Sequence, residues 1–185
     1  MEEYKNFIEK LAKNKEESLY LNSGPEHAGI VLSTIFKNTK SELRIFAQGL
    51  KSGVATSDLY LDGLKSFLEK KNGTVKILIQ EYSSNEEPKV FNILSYYKFF
   101  NKEQVTIKTT QSKVFTKPEK EKIEPKSIHF TTGDDSIFRL EEDIVTFKAF
   151  GSFNNKEYTI KLNQIFDEIF ESEKSNEIDL LQSFN

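Results

Sequence analysis

The sequence predicts an α/β protein with a mostly parallel or mixed sheet flanked by helices. Strand-like and helix-like segments alternate up to residue 110, which favours strands joined by crossover helices. The run Thr74–Ile79 is apolar with little alternation, as expected for a strand that is covered on both faces. A hairpin-rich stretch and a closing helix follow. We therefore expect helices on both faces of the sheet.

Helical spacing of apolar residues marks the covering layers. The helical segments are 4–16, 25–36, 60–68, 90–100 and 158–170. Ser23 and Glu26 match the capping-box pattern at the start of the second segment. We expect a single domain over residues 1–185, with an N-terminal helix within 1–17 and a flexible tail over 175–185.

Strand patterns fill the intervals between these helices. The strand segments are 19–21, 43–47, 74–79, 104–110, 127–132, 137–141 and 145–150. A Gly-Asp-Asp turn at residue 133 predicts that 127–132 and 137–141 form a hairpin. In such a sheet, the functional cleft is expected beyond the carboxyl ends of the parallel strands.

The composition excludes several classes of protein. The chain has 185 residues, no Cys, 2 His and a net charge of -3. Without Cys there is no disulfide, thiolate nucleophile or Cys-based metal site, and no cofactor is predicted. An acidic chain does not coat nucleic acid through its overall charge. With no apolar run of about 18 residues and no signal-like start, we expect a cytoplasmic protein without a membrane partner.

The residues most informative for function lie in the C-terminal part of the chain. His129 falls on a predicted strand, and Arg139 and Glu141 follow on the next one. The segment Gly151-Ser152-Phe153-Asn154 then precedes the last helix. This pattern resembles the phospholipase D-like phosphodiesterase superfamily, which pairs H-x-K-x4-D with a downstream G-S-x-N on an α/β sandwich.

The resemblance covers most of residues 18–172 and implies roles for individual side chains. It implies that His129 is catalytic and that Ser152 and Asn154 hold the phosphate and the histidine in place. A histidine from each of two half-sites then flanks the phosphate, one forming a phospho-histidine and the other protonating the leaving group. A single motif copy therefore implies a symmetric homodimer with two His129 side chains facing each other.

Two positions depart from the superfamily pattern. Thr131 stands where its lysine belongs, and Ser136 stands where its aspartate belongs, with Asp135 one residue early. A lost donor of this kind removes about 2.7–4 kcal/mol of transition-state stabilisation. Arg139 is a candidate substitute, since a guanidinium binds phosphate bidentately. Strand alternation places it on the face of Ile137, unless a bulge changes its direction.

These observations lead to two main hypotheses. The first is a degenerate domain that binds a phosphodiester or nucleic acid, or serves as a dimeric recognition module, with weak or no hydrolysis. The second is an active, metal-independent phosphodiesterase or nuclease that uses His129 from two subunits. The resemblance favours DNA over lipid as the substrate.

Other interpretations stay open. The protein can be purely structural, with a protein partner bound by its acidic last helix and tail. Asp135 and Glu141 are candidate carboxylates of a metal-dependent nuclease, although no metal site is predicted. Ser23 and the Lys-rich segment 113–126 are further candidate phosphate contacts. The Gly-Ser-x-Asn segment equally fits a helix start, with Ser152 or Asn154 as its N-cap.

Overall fold

The computed structural model describes residues 1–115 and 127–181. Most of the Lys-rich candidate 113–126 lies outside the described residues. The helices are α1 (Glu2–Asn14), α2 (Pro25–Asn38), α3 (Asp58–Leu68), α4 (Val90–Phe100) and α5 (Lys156–Phe170). Of the helices in the described ranges, none is long and apolar enough to cross a membrane.

The strands form one eight-stranded sheet in the order β1-β7-β6-β5-β2-β3-β4-β8. The strands are β1 (Tyr20–Asn22), β2 (Glu42–Ala47), β3 (Thr74–Ile79), β4 (Val105–Thr110), β5 (His129–Gly133), β6 (Ile137–Asp143), β7 (Lys148–Ser152) and β8 (Ser175–Glu177). The α/β prediction is confirmed. Parallel pairing is confined to β2, β3 and β4 within the described chain. The sheet is mixed because successive hairpins from β5 to β7, with β1 and β8 at the two edges, add antiparallel strands.

Helices cover both faces of the sheet. The first four helices pack on one face, against aliphatic side chains such as Ile45 and Ile77. Helix α5 packs on the other face, against a layer rich in phenylalanine. Because both faces are buried, β6 can direct Ile137 and Arg139 to the first face while Phe138 and Leu140 face α5. The direction of Arg139 therefore follows from plain alternation, and the irregularity in β6 comes only after Glu141.

The ends of several elements differ from the sequence-based expectations. Within the tail predicted to be flexible over 175–185, Ser175–Glu177 form β8 against β4 and Ile178 and Leu180 are buried beyond it, while residues 182–185 lie outside the described residues. Helix α2 has Gly24 as its N-cap, not Ser23. Helix α5 is capped by Asn155, whose side-chain oxygen accepts from the Tyr158 N–H. Neither Ser152 nor Asn154 is its N-cap, because they lie too far before the first helical turn.

Candidate functional site

A cavity of about 310 Å³ opens at the edge of the sheet where the parallel strand β2 ends. Sites in α/β sheets lie beyond the carboxyl ends of parallel strands, as here. Four polar side chains from β5 and β6 line the cavity, because the antiparallel register sets His129 opposite Glu141 and Thr131 opposite Arg139. The structure thus brings four of the predicted site residues together.

His129 makes a directional contact through its Nε2 atom. This nitrogen lies 3.1 Å from Oε1 of Gln80. The Gln80 side-chain nitrogen in turn donates to the carbonyl of Ser112, at 2.8 Å, which fixes the orientation of the amide. An amide oxygen only accepts hydrogen bonds. Nε2 of His129 therefore carries a proton and donates to Gln80.

The other side of the imidazole faces a carboxylate. Nδ1 of His129 lies 3.9 Å from Oε1 of Glu141. The Phe46 ring meets the imidazole edge to face, with the centroids 6.0 Å apart. Only 8% of His129 is exposed. The ring is thus enclosed between an amide, a carboxylate and an aromatic side chain.

Arg139 is buried and bonds to three groups of its own chain. Its Nη2 lies 2.8 Å from Oε2 of Glu141. Its Nε donates to Oδ1 of Asn22 at 3.1 Å, and Nη2 also donates to the carbonyl of Phe147 at 3.3 Å. The guanidinium that was expected to replace the missing lysine is therefore paired with a carboxylate of its own chain.

Glu141 joins His129 and Arg139 into one chain of contacts. Burial alone would raise the pKa of Glu141, but the hydrogen bond from His129 and the charge and hydrogen bond of Arg139 outweigh burial and lower the pKa below its ordinary value. Glu141 is therefore charged at neutral pH and cancels the charge of Arg139. We call Gln80, His129, Glu141, Arg139 and Asn22 the polar network.

Ser152 and Asn154 do not join the polar network. Ser152 pairs with Phe138 and shares its side of the sheet, which faces α5. Its register position is three residues from Glu141 along β6, or about 10 Å. The Ser152 hydroxyl accepts from the N–H of Asn154, and the Asn154 side chain donates to the carbonyl of Lys15. The Ser152 side chain thus lies on the face opposite the polar network, and the Asn154 side chain is bound to the end of α1.

The remaining candidates, Asp135 and Ser23, do not line the cavity that contains His129. Asp135 and Ser23 are both exposed. The carboxylate of Asp134 accepts three backbone N–H groups from residues 40–42, a turn contact at the other end of β5. Glu141 is the one predicted carboxylate beside the histidine, and residues 1–115 and 127–181 hold no group of three His, Asp or Glu placed to bind a metal ion. The hypothesis of a metal-dependent nuclease therefore lacks a second carboxylate beside Glu141.

Gln80 was missed in the sequence, and for Asn22, which belongs to the candidate loop at residues 22–24, the bond to Arg139 was not predicted. Both are ordinary amides, and nothing in their residue type sets them apart. Gln80 comes directly after the apolar strand Thr74–Ile79, at the strand end where α/β sheets place their sites. That position is the signal that could have identified it.

Comparisons with known proteins point to one fold. No protein-family model matches the chain, and no curated protein matches its sequence. Nuc from Salmonella typhimurium, described as a phospholipase D family member, has a similar structure, with a TM-score of 0.57 at 11% identity over 87% of this chain and 97% of its own. This protein has a phospholipase D-like fold. NucT from Helicobacter pylori is similar at a TM-score of 0.57 and 13% identity, over 87% of this chain and 99% of its own.

Two larger proteins contain a similar unit. TrmBL2, an archaeal chromatin protein described as showing a novel mode of DNA binding, matches with a TM-score of 0.54 and 13% identity. The match covers 96% of this phospholipase D-like chain and 62% of TrmBL2. Phosphatidylserine synthase from Haemophilus influenzae Rd KW20 matches with a TM-score of 0.57 and 9% identity over 87% of this chain and 39% of its own. At these identities the similarity is one of fold.

Proposed function

We propose that this protein is a phospholipase D-like recognition domain that does not hydrolyse phosphodiesters. The observation that carries the proposal is the hydrogen bond from Nε2 of His129 to Gln80. Attack on phosphorus requires a lone pair on the attacking nitrogen. Because Nε2 donates to Gln80 and Nδ1 faces Glu141, neither ring nitrogen presents a lone pair to a substrate.

The charges around the cavity support the same conclusion. Phosphoryl transfer needs fixed positive charge where negative charge develops. Thr131 supplies a neutral hydroxyl in place of the lysine, and Arg139 is paired with Glu141 at 2.8 Å. An incoming phosphate would compete with a buried carboxylate for the only guanidinium among the described residues that line the cavity.

The separation of the two motif halves is a third line of support. Ser152 lies on the face that α5 covers, and Asn154 bonds to the end of α1, so neither side chain belongs to the polar network around His129. A two-subunit site would also require His129 at a surface that meets a second copy, whereas its exposed fraction is 8%. The homodimer stays a prediction, and light scattering that gives a 21.4 kDa particle would contradict it.

The ligand class of such a domain is part of the proposal. DNA is our expected macromolecular partner, because TrmBL2 has a similar fold and is described as binding DNA. The interaction would be binding without cleavage. Fluorescence anisotropy with labelled single- and double-stranded DNA tests this partner. We expect the anisotropy of the labelled DNA to rise when the protein is added at low salt, and we expect this rise to become smaller as the salt concentration is raised.

A hydrolysis assay tests the main proposal. Bis-p-nitrophenyl phosphate and both forms of DNA are incubated with the wild-type protein and with His129→Ala in EDTA. We expect equal background rates for the two proteins, with circular dichroism confirming that the variant is folded. Hydrolysis by the wild type that disappears in His129→Ala would overturn the proposal.

One observation favours a hydrolytic alternative. Glu141 lies beside Nδ1 of His129, and a carboxylate in that position orients a catalytic imidazole. An active enzyme of this kind would have to release Nε2 from Gln80 and bring two chains together. Its activity would then rise with the fraction of dimer, would not need metal and would be lost in His129→Ala.

A further inference from the structure

We propose that the cavity beside the polar network binds a small, uncharged organic molecule with an apolar body and a hydroxyl-type head group. The inference rests on the proposed function, because a hydrolase would reserve the same cavity for a phosphodiester. It names a class of ligand that the fold alone does not indicate. The argument combines the cavity wall, its charge balance and one unpartnered hydroxyl.

The wall of the cavity is mainly apolar. Side chains from α2, from the segment between β2 and α3 and from α3 form one side: Ala28, Leu32, Leu50, Val54, Ala55 and Tyr60. Ile144 and Phe147, from the turn between β6 and β7, also line it. Its volume of about 310 Å³ lies at the lower end of the range of about 300–1,000 Å³ for small-molecule pockets. Such a wall accommodates the apolar body of a ligand.

The charges that line the cavity cancel. The ionised lining residues other than His129 are Lys51 and Arg139 against Glu81 and Glu141. Arg139 pairs with Glu141 inside the protein, and Lys51 lies 3.3 Å from Glu86. An anionic ligand would therefore have to break an existing ion pair. This balance favours an uncharged ligand over a phosphate.

Thr131 gives the cavity a free polar group. It is 5% exposed, lines the cavity and lies opposite Arg139 on the same face of the sheet. Its hydroxyl makes no hydrogen bond with the described part of the chain, and the oxygen is accessible from the cavity, since Ser33 Oγ is the only fully buried side-chain atom without a partner among the described residues. A hydroxyl that faces a cavity takes its hydrogen-bond partner from whatever fills that cavity. A ligand hydroxyl, which both donates and accepts, would supply the missing partner.

Backbone conformation adds support at the same place. Leu50 and Phe147 have left-handed φ angles of 56° and 55°, and both line the cavity. Bulky residues rarely adopt this conformation. Strained residues of this kind cluster at ligand-binding and active sites.

Three matched probes test the ligand class. p-Cresol has the apolar body and the hydroxyl, toluene has only the body, and p-tolyl phosphate carries the anionic head group. Titrations are followed by ¹H–¹⁵N NMR of the wild-type protein. We expect saturable shifts around Leu50, Thr131 and Glu141, with p-cresol binding about three- to tenfold more tightly than either other probe.

Variants locate the binding and identify the hydroxyl. Thr131→Val should reduce the p-cresol affinity to that of toluene, while Thr109→Val on β4 should not. Leu32→Trp fills the cavity and should abolish binding, whereas Leu21→Trp, at a side chain that is 74% exposed, should leave it unchanged. Thr131→Val keeps the test decisive if Leu32→Trp does not fold.

Specific results would overturn this inference. They are tighter binding of p-tolyl phosphate than of p-cresol, unchanged p-cresol affinity in Thr131→Val, or the absence of saturable shifts at the cavity. If any one of these results occurs without His129-dependent hydrolysis, this inference fails, but the proposal of a domain that does not hydrolyse phosphodiesters is unaffected. If His129-dependent hydrolysis appears, the proposed function fails first.

Discussion

On β6, the side chains of Arg139 and Glu141 bond with other polar groups around a cavity, whereas the end of the neighbouring strand β7 is tightly packed against other parts of the chain. That end contains Gly151, which pairs with Arg139, and an added Cβ there would collide with the Phe138 carbonyl and the Tyr20 ring. The Tyr20 hydroxyl donates to that same carbonyl at 3.0 Å. Gly151 is therefore required by packing, with no ligand involved.

This difference shows how one motif can serve two purposes. The half with His129 retains a cavity and buried polar groups, as a binding site requires. In the half with Ser152 and Asn154, the serine hydroxyl accepts from the Asn154 N–H and the Asn154 side chain bonds to the end of α1. Residues that match a catalytic motif can thus be present because the fold requires them.

The largest effect is expected from Glu141→Gln. Removing this charge leaves Arg139 buried without its carboxylate, and breaking a buried ion pair costs about 3–5 kcal/mol. Urea unfolding at neutral pH measures the loss. Glu157→Gln is the control, because its ion pair with Lys161 lies at the surface. Equal, small effects in both variants would show that the polar network is not important for stability.

A smaller loss is expected from Gly151→Ala. Overpacking and the lost Tyr20–Phe138 hydrogen bond together cost about 2–4 kcal/mol. Gly53→Ala is the matched control, since nothing lies within 4 Å of an added Cβ there. A Gly151→Ala protein as stable as Gly53→Ala would contradict the packing role of the motif glycine.

Two substitutions that each remove one hydroxyl group compare the two regions directly. Ser152→Ala leaves the Asn154 N–H without its acceptor and should lower the free energy of unfolding by about 1 kcal/mol. Thr131→Val removes a hydroxyl that has no partner in the described chain and should be neutral or slightly stabilising. Denaturant melts of both variants measure the difference. A larger loss of stability in Thr131→Val than in Ser152→Ala would contradict our division of the motif into a packed half and a binding half.

The smallest effect is expected in the dependence of stability on acidic pH. The folded state lowers the pKa of Glu141, so this group contributes stability above its unfolded pKa, and the contribution is lost as pH falls through the lower, folded pKa. As the pH falls below the ordinary pKa of a glutamate side chain, the stability of the wild type should fall more steeply than that of Glu141→Gln. Parallel slopes in urea titrations of the two proteins would contradict a charged, paired Glu141.

The sequence predicted the local elements better than their arrangement. Apolar spacing located the helices and central strands, and the Asp134 turn indicated the β5–β6 hairpin. Helix α5 covers the second face of the sheet, and this allowed Ile137 and Leu140 both to be buried, on opposite faces of β6. Strand β8 was missed because Ser175–Glu177 is polar, and its pairing with β4 is set by contacts distant in sequence.

The candidate site was predicted only in part. His129, Thr131, Arg139 and Glu141 do line one cavity. Their chemistry depends on Gln80, which is distant in sequence and whose amide orientation is set by Ser112. A proton position of that kind follows from tertiary hydrogen bonds, and residue spacing alone does not contain it.

The ring nitrogens of His129 provide the most direct test. In ¹⁵N-labelled His27→Gln, His129 is the only remaining histidine, so long-range ¹H–¹⁵N spectra report its protonation without overlap. We predict that Nε2 carries a proton at neutral pH and that Gln80→Leu weakens this preference. An Nε2 without a proton, with the hydrogen on Nδ1 facing Glu141, would be the state of a nucleophile and would contradict the account.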